Sequence, residues 1–113
     1  MDNFGDLYLV RIAFDDNPHV AKNRPVFLVN HLSESKLYTI AEITKSSPKR
    51  PPTYFDQYKE PINKWKQAAL DKKSYVKTHK LHNVGYDKLF RKIGETAQED
   101  AIRIVNRIVE VNI

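Results

Sequence analysis

The 113-residue chain contains no cysteine, only three glycines, one methionine and one tryptophan. Without thiols there are no disulfides, thiolate metal sites, iron–sulfur clusters or cysteine nucleophile, so the fold must stand on packing. The glycines, Gly5, Gly85 and Gly94, lie far apart, and no G-K-[ST] occurs, which excludes a phosphate-binding loop. There is no G-x-S-x-G elbow for a serine hydrolase. The four histidines, His19, His31, His79 and His82, show no H-x-x-x-H pair and no adjacent acidic cluster, so metal hydrolysis fits poorly. His79 and His82 are three apart in an expected strand, which places them on opposite faces. No apolar run approaches the ~20 residues that cross a bilayer. Asp2 and Asp6 bracket the start and no apolar h-region follows, so no signal peptide is read there. A cytoplasmic protein without a membrane partner is expected.

What remains is a chain with 41% hydrophobic residues, enough for a core, and a length that suits one domain over residues 1–113. Nineteen Lys and Arg against fourteen Asp and Glu give a formal charge of +5. Such a balance attracts polyanions, nucleic acid above all, although a basic surface also serves solubility alone.

Residues 7–14 (Leu-Tyr-Leu-Val-Arg-Ile-Ala-Phe) predict a first strand, rich in the aromatic and branched residues that suit a pleated surface. Asp15 to Pro18 break it, and His19 to Asn23 read as a polar loop. Val26 to Val29 predict a buried central strand after Pro25, residues 31–36 a turn, and Leu37 to Thr44 a third strand with Tyr38, Ile40 and Ile43 inward. Residues 45–53 (Lys-Ser-Ser-Pro-Lys-Arg-Pro-Pro-Thr) can continue neither helix nor sheet and predict an exposed basic loop. Its cations Lys45, Lys49 and Arg50 precede Tyr54, Phe55 and Tyr58. Cations that hold phosphates beside rings that stack on bases suit a single strand; the alternative is that the rings belong to the core or a sheet edge.

Ile62 to Leu70 predict a short helix after Pro61, with Ile62, Trp65 and Ala69 on one face. Ser74 to Val76 predict a strand extended by Lys77 to His82. Thr96 to Glu99 has capping-box spacing, and an apolar stripe of Ala101, Ile102, Val105, Ile108 and Val109 predicts a helix over about 97–110 with Arg103, Asn106 and Arg107 outside. The class expected is a β-rich α+β fold, a small barrel or curled sheet carrying a short internal helix and a C-terminal helix.

Chemistry open to such a chain uses Arg, Thr, Ser, His and Lys without a metal. RNA cleavage qualifies, because the 2′-hydroxyl is the substrate's own nucleophile and the protein need supply only a base, an acid and a cation.

Several short motifs occur in a familiar order: Gly5-Asp6-Leu7-Tyr8-Leu9-Val10, Arg24-Pro25-Val26, Ala41-Glu42-Ile43-Thr44-Lys45-Ser46, Trp65 with Ala68-Ala69-Leu70, Ser74-Tyr75-Val76-Lys77, and Lys92-Ile93-Gly94 as a closing turn. Together they resemble the MazF/PemK family of toxin endoribonucleases, collinearly over about residues 5 to 110. The resemblance implies an SH3-like barrel, a homodimer, cofactor-free and metal-independent cleavage of single-stranded RNA, and a cognate antitoxin that blocks the groove. By the same resemblance, Arg24 matches the catalytic arginine and would bind the scissile phosphate, unless it merely holds its loop. Thr44 matches the Thr/Ser at the end of the third strand, unless it only caps the turn, and Ser46 and Ser47 are its substitutes. Lys22, Lys45, Lys49, Arg50, Tyr54 and Lys77 complete the expected RNA contacts.

The loop before Arg24 departs from the family, having neither glycine nor glutamate, and His19 is the candidate for the missing base, with an ordinary pKa near 6.5 that suits the task, unless it is an exposed loop histidine with no role. Lys77 and His79 stand where relatives carry an arginine and an acidic residue, so His79 is a second acid–base candidate. A competing reading is a non-catalytic toxin that binds nucleic acid or poisons a protein such as gyrase from the same fold. A transcription factor finds no support, as no helix-turn-helix spacing precedes the last helix.

Overall fold

A computed structural model of the chain describes residues 4–12, 22–32 and 37–113. The six strands are β1 (Asp6–Ile12), β2 (Lys22–Leu32), β3 (Leu37–Thr44), β4 (Lys59–Ile62), β5 (Ser74–Gly85) and β6 (Leu89–Glu95). They form one sheet in the order β4-β5-β3-β2-β1-β6, and every pairing is antiparallel. One α-helix among the described residues, α1 (Gln98–Asn112), follows. The β-rich α+β class is therefore the one expected, but the sheet is not closed into a barrel: β4 and β6 are its edges.

Period-2 alternation builds a core on each face of the sheet. Leu7, Phe27, Ala41, Ile62 and Val76 pack with Ala101, Ile104 and Ile108 of α1. Tyr8, Val10, Val26, Leu28, Tyr38, Ile40 and Val84 form a second cluster. Val26-Phe27-Leu28 serves both, which is why the run reads as almost wholly apolar.

Four expectations need correction. Residues 62–70 are not a helix: Ile62 ends β4 and residues 63–69 form turns. Ala69 sits at φ 66°, a left-handed conformation that no α-helix propagates through. β2 begins at Lys22 and runs to Leu32, so Lys22 and Asn23 are strand rather than loop, and His31 and Leu32 are strand rather than turn. Lys92-Ile93-Gly94 belongs to β6, paired with β1, and not to a turn. Finally, Thr96 does not cap α1 with its side chain. Its hydroxyl donates to the Gly5 carbonyl at 2.8 Å, Ala97 is the cap residue, and Glu99 pairs with Lys64.

Gly5 itself has φ 89°, and a Cβ there would stand 2.7 Å from the Ala101 Cβ. Only glycine lets β1 start this close to α1.

The buried stripe of α1 is Ala101, Ile104 and Ile108, with Val105 packed at its side, whereas Ile102 and Val109 are 44% and 49% exposed. Arg103 and Arg107 are not simply outside. Arg103 reaches Glu60 at 3.1 Å, Asp100 at 3.0 Å and the Pro61 carbonyl, and Arg107 reaches the Gln57 carbonyl at 3.2 Å. Asp100, 1% exposed, also accepts the Lys64 amide at 2.9 Å, tying the 63–69 turn to the helix.

Candidate active site

A cleft of about 450 Å³ opens where the end of β3, the 45–53 loop and β5 meet, lined by Thr44, Ser46, Lys49, Phe55, His79 and Lys80, with Thr53, Asp56, Lys59 and Lys77 completing it. Residues 45–53 are the exposed loop that their prolines require, and Tyr54–Tyr58 wind into a short 3-10 helix behind it. The cleft thus gathers five of the expected residues: Thr44, Ser46, Lys49, Lys77 and His79.

The remaining expected residues lie elsewhere. Ser47 and Arg50 are exposed on the loop outside the lining. Lys45 turns to Asp71, with an ion pair at 2.7 Å. Tyr54 is 67% exposed beside the cleft. Arg24 is half-buried on β2 and does not line the cleft. The β2–β3 ladder stops at Val26 opposite Glu42, and continuing its register by two residues sets Arg24 level with Thr44. Lys22 lies on β2, its side chain outside what is described, and His19 lies outside the described residues.

Thr44 accepts the Ser46 amide on its Oγ1 at 3.1 Å, shaping the exit from β3 while keeping its own proton to donate. His79 is flanked by two rings. Phe55 stacks on it at 5.2 Å with an interplanar angle of 14°, and Tyr58 lies at 4.8 Å. Burial, then the positive charges of Lys80 and Lys77, hold the His79 imidazole below its ordinary pKa, only partly opposed by Glu42. Its Nδ1 is buried without a hydrogen-bond partner among the described residues. Phe55 is itself 57% exposed, and Tyr54 meets it edge-on at 5.0 Å. These aromatics are neither core nor sheet edge; they form a platform at the rim.

Two carboxylates escaped the sequence reading. Glu42 accepts from His82 Nε2 at 2.7 Å and lies 3.8 Å from Lys77 Nζ. The alternation rule does not allow residues five apart to meet one group. They do so because the β3–β5 register shifts, with Ala41 opposite Leu81 but Ile43 opposite Val76. This shift also removes the basis for assigning His79 and His82 to opposite faces by spacing. Asp56 is the second. It is 6% exposed, accepts from three loop donors and pairs with Lys59 at 2.9 Å. The signal was present as Thr53-x-x-Asp56, the spacing of a capping box, inside a stretch whose prolines read simply as loop.

The chain matches the PemK-like, MazF-like toxin family of type II toxin–antitoxin systems over residues 3–112. It belongs to that family. No curated protein matches it in sequence. Among solved structures, the fold of this PemK-like chain is shared with an endoribonuclease in complex with its cognate antitoxin from a mycobacterial species. That match has TM-score 0.70 and 13% identity, covering 98% of this chain and 94% of that one. The Mycobacterium tuberculosis toxin MazF-mt6 matches with TM-score 0.60 and 15% identity over 94% and 99% of the two chains. A further Mtb toxin matches with TM-score 0.61 and 17% identity over 91% and 98%. At these identities the likeness is one of fold. Among the described residues, no helix is long and apolar enough to cross a membrane.

Proposed function

We propose that this PemK-like chain is a toxin that cuts single-stranded RNA, mRNA above all, in the cytoplasm without a metal ion. One observation carries the reading: the cleft sets a strand-end hydroxyl, an imidazole kept neutral and several lysines beside exposed aromatic rings. Lysines at this site attract the phosphate backbone, and the exposed Phe55 and Tyr54 rings suit contact with nucleobases.

The chemistry is an in-line transfer within the RNA. His79, neutral at pH 7, takes the proton of the 2′-hydroxyl as that oxygen attacks the neighbouring phosphorus. The bond from phosphorus to the 5′-oxygen breaks, that oxygen takes a proton from solvent water, and His79 returns its proton to solvent. The products are a 2′,3′-cyclic phosphate and a 5′-hydroxyl. Thr44 and Lys77, with Arg24 approaching from the level of Thr44 on β2, stabilise the charge that builds on the phosphate oxygens. By the family resemblance His19 serves as a base candidate and Lys22 as an RNA contact, and Lys45, Ser46, Ser47, Lys49 and Arg50 extend the phosphate track along the loop.

The partners follow from the same surface. A cognate antitoxin with acidic segments fits a cleft of this charge. A homodimer gives the exposed Ile102 and Val109 of α1 a covering surface. The exposed apolar face of α1 is also the observation that favours the alternative, a toxin that holds a target protein through its helix.

The test is incubation of the purified protein with a long single-stranded RNA in EDTA, beside Arg24→Ala, Thr44→Ala and His79→Gln. Discrete cuts bearing 2′,3′-cyclic phosphate ends, lost in these variants, are expected. Intact RNA with a folded wild-type protein would move the assignment to the protein-binding toxin.

A further inference from the structure

A carboxylate lining a cleft for phosphates is an anomaly, since it repels the ligand. Asp56 is such a group, and its bonding explains its presence. Oδ2 accepts from the Lys49 amide at 3.0 Å, the Thr53 amide at 2.9 Å and the Thr53 hydroxyl at 2.9 Å. Oδ1 pairs with Lys59 Nζ at 2.9 Å, and that lysine is itself only 12% exposed. The negative charge is thereby compensated locally, so the face turned to the cleft stays positive.

Between residues 48 and 53, Pro48, Pro51 and Pro52 have no amide hydrogen. That leaves Lys49, Arg50 and Thr53 as the loop's amide donors, and two of the three converge on one oxygen. Residues 45–53 belong to neither sheet nor helix, and all side chains from Lys45 to Phe55 are exposed. Fixing it adds little to the core, so its order serves what binds there.

We infer that Asp56 is a positioning residue: from beneath the cleft it holds residues 49–55, with Lys49 and the Phe55 ring, in the form that receives RNA, and Lys59 is its counter-ion. This rests on the ribonuclease reading above. The low pKa that the two amides, followed by Lys59, impose on Asp56 keeps the clamp charged across the working pH range. Preorganisation of this kind acts on binding rather than on the chemical step.

The experiment compares wild type, Asp56→Asn and Thr53→Val on a short RNA containing one wild-type cut site. It measures KM, kcat, the melting temperature and the exchange rates of the Lys49 and Thr53 amides. In Asp56→Asn, KM should rise about tenfold with kcat within about threefold, as expected for losing the charge and part of the hydrogen bonding; both amides should exchange faster. Thr53→Val removes one bond only and should raise KM about two- to threefold, which carries the test if Asp56→Asn does not fold. A folded Asp56→Asn with unchanged KM overturns the inference, as does a fall in kcat alone, which would make Asp56 a participant in the chemistry. A wild type that neither cuts nor binds the RNA overturns the functional reading first, and the inference with it.

Discussion

Two buried aspartates organise two regions of this molecule by one device and to different ends. Asp100, on the first turn of α1, accepts the Lys64 amide and pairs with Arg103, binding a turn to the helix over the apolar core. Asp56 accepts the Lys49 and Thr53 amides and pairs with Lys59, binding a loop to the edge of a solvated cleft. Each joins backbone amide donation, one amide at Asp100 and two at Asp56, to a cation through one carboxylate. The segments that Asp100 joins carry the fully buried Ala68 and Ile104, whereas those that Asp56 joins carry the exposed Lys49, Tyr54 and Phe55. The first region is built for stability and the second for a ligand. A shared bonding device therefore says nothing about role until its surroundings are read.

Substitutions should separate the two regions. The largest effect is expected from Asp100→Ala, which leaves the Lys64 amide without its acceptor and Arg103 with Glu60 as its remaining carboxylate. Stability should fall by about 3 kcal/mol in denaturant unfolding. Retention of near-wild-type stability would mean that the turn finds another anchor. Gly5→Ala comes next, through its positive φ and the crowding against Ala101 and Thr96. A loss of about 2 kcal/mol in the same assay is expected.

In the cleft the readout is pH. Burial first, then Lys80 and Lys77, lower the His79 pKa relative to its unfolded value near 6.5. The folded protein thus binds fewer protons on this group than the unfolded chain does. Its contribution to stability is complete above pH 6.5 and is lost as pH falls through the lower folded value. In kcat/KM the same group should give an acidic limb with a midpoint below 6.5. His79→Gln should lower the rate and remove that limb, and a limb that persists in this variant would exclude His79 as the base. The smallest effect belongs to Ile102→Ser and Val109→Ser. Each should change monomer stability by no more than about 0.5 kcal/mol, while sedimentation shows weakened self-association.

The third strand, the basic loop and the terminal helix were legible because each rests on local signals: alternation over Leu37–Thr44, prolines over 48–52, and helical spacing from Ala101 onward. The family was legible too, from motifs whose order survives even where single residues change. Less local features were not. Which apolar residues of α1 face inward depends on how the helix lies on the sheet, so Ile104 was passed over for Ile102. Thr96 reads as a cap until Gly5, 91 residues away, is seen to claim its hydroxyl. For the site, the cluster of Thr44, Ser46, Lys49, Lys77 and His79 was named residue by residue. The carboxylates that arrange the lysines were not, because Glu42 works through an irregular register and Asp56 through a loop.

That irregular register has a consequence of its own. On β5, the four residues 77–80 stand opposite the single residue Glu42, while Val76 and Leu81 on either side keep their partners on β3. Three of the four, Lys77, His79 and Lys80, line the cleft; the fourth, Thr78, is buried and donates its hydroxyl to the Tyr58 carbonyl at 2.6 Å. The slack is pinned in the interior by Thr78, paired at Lys77 with Lys59 of β4, and fastened to β3 at both ends. Cleft-facing residues on this segment can therefore be exchanged without disturbing the β3–β5 pairings on either side, so scaffold and chemistry are separable here.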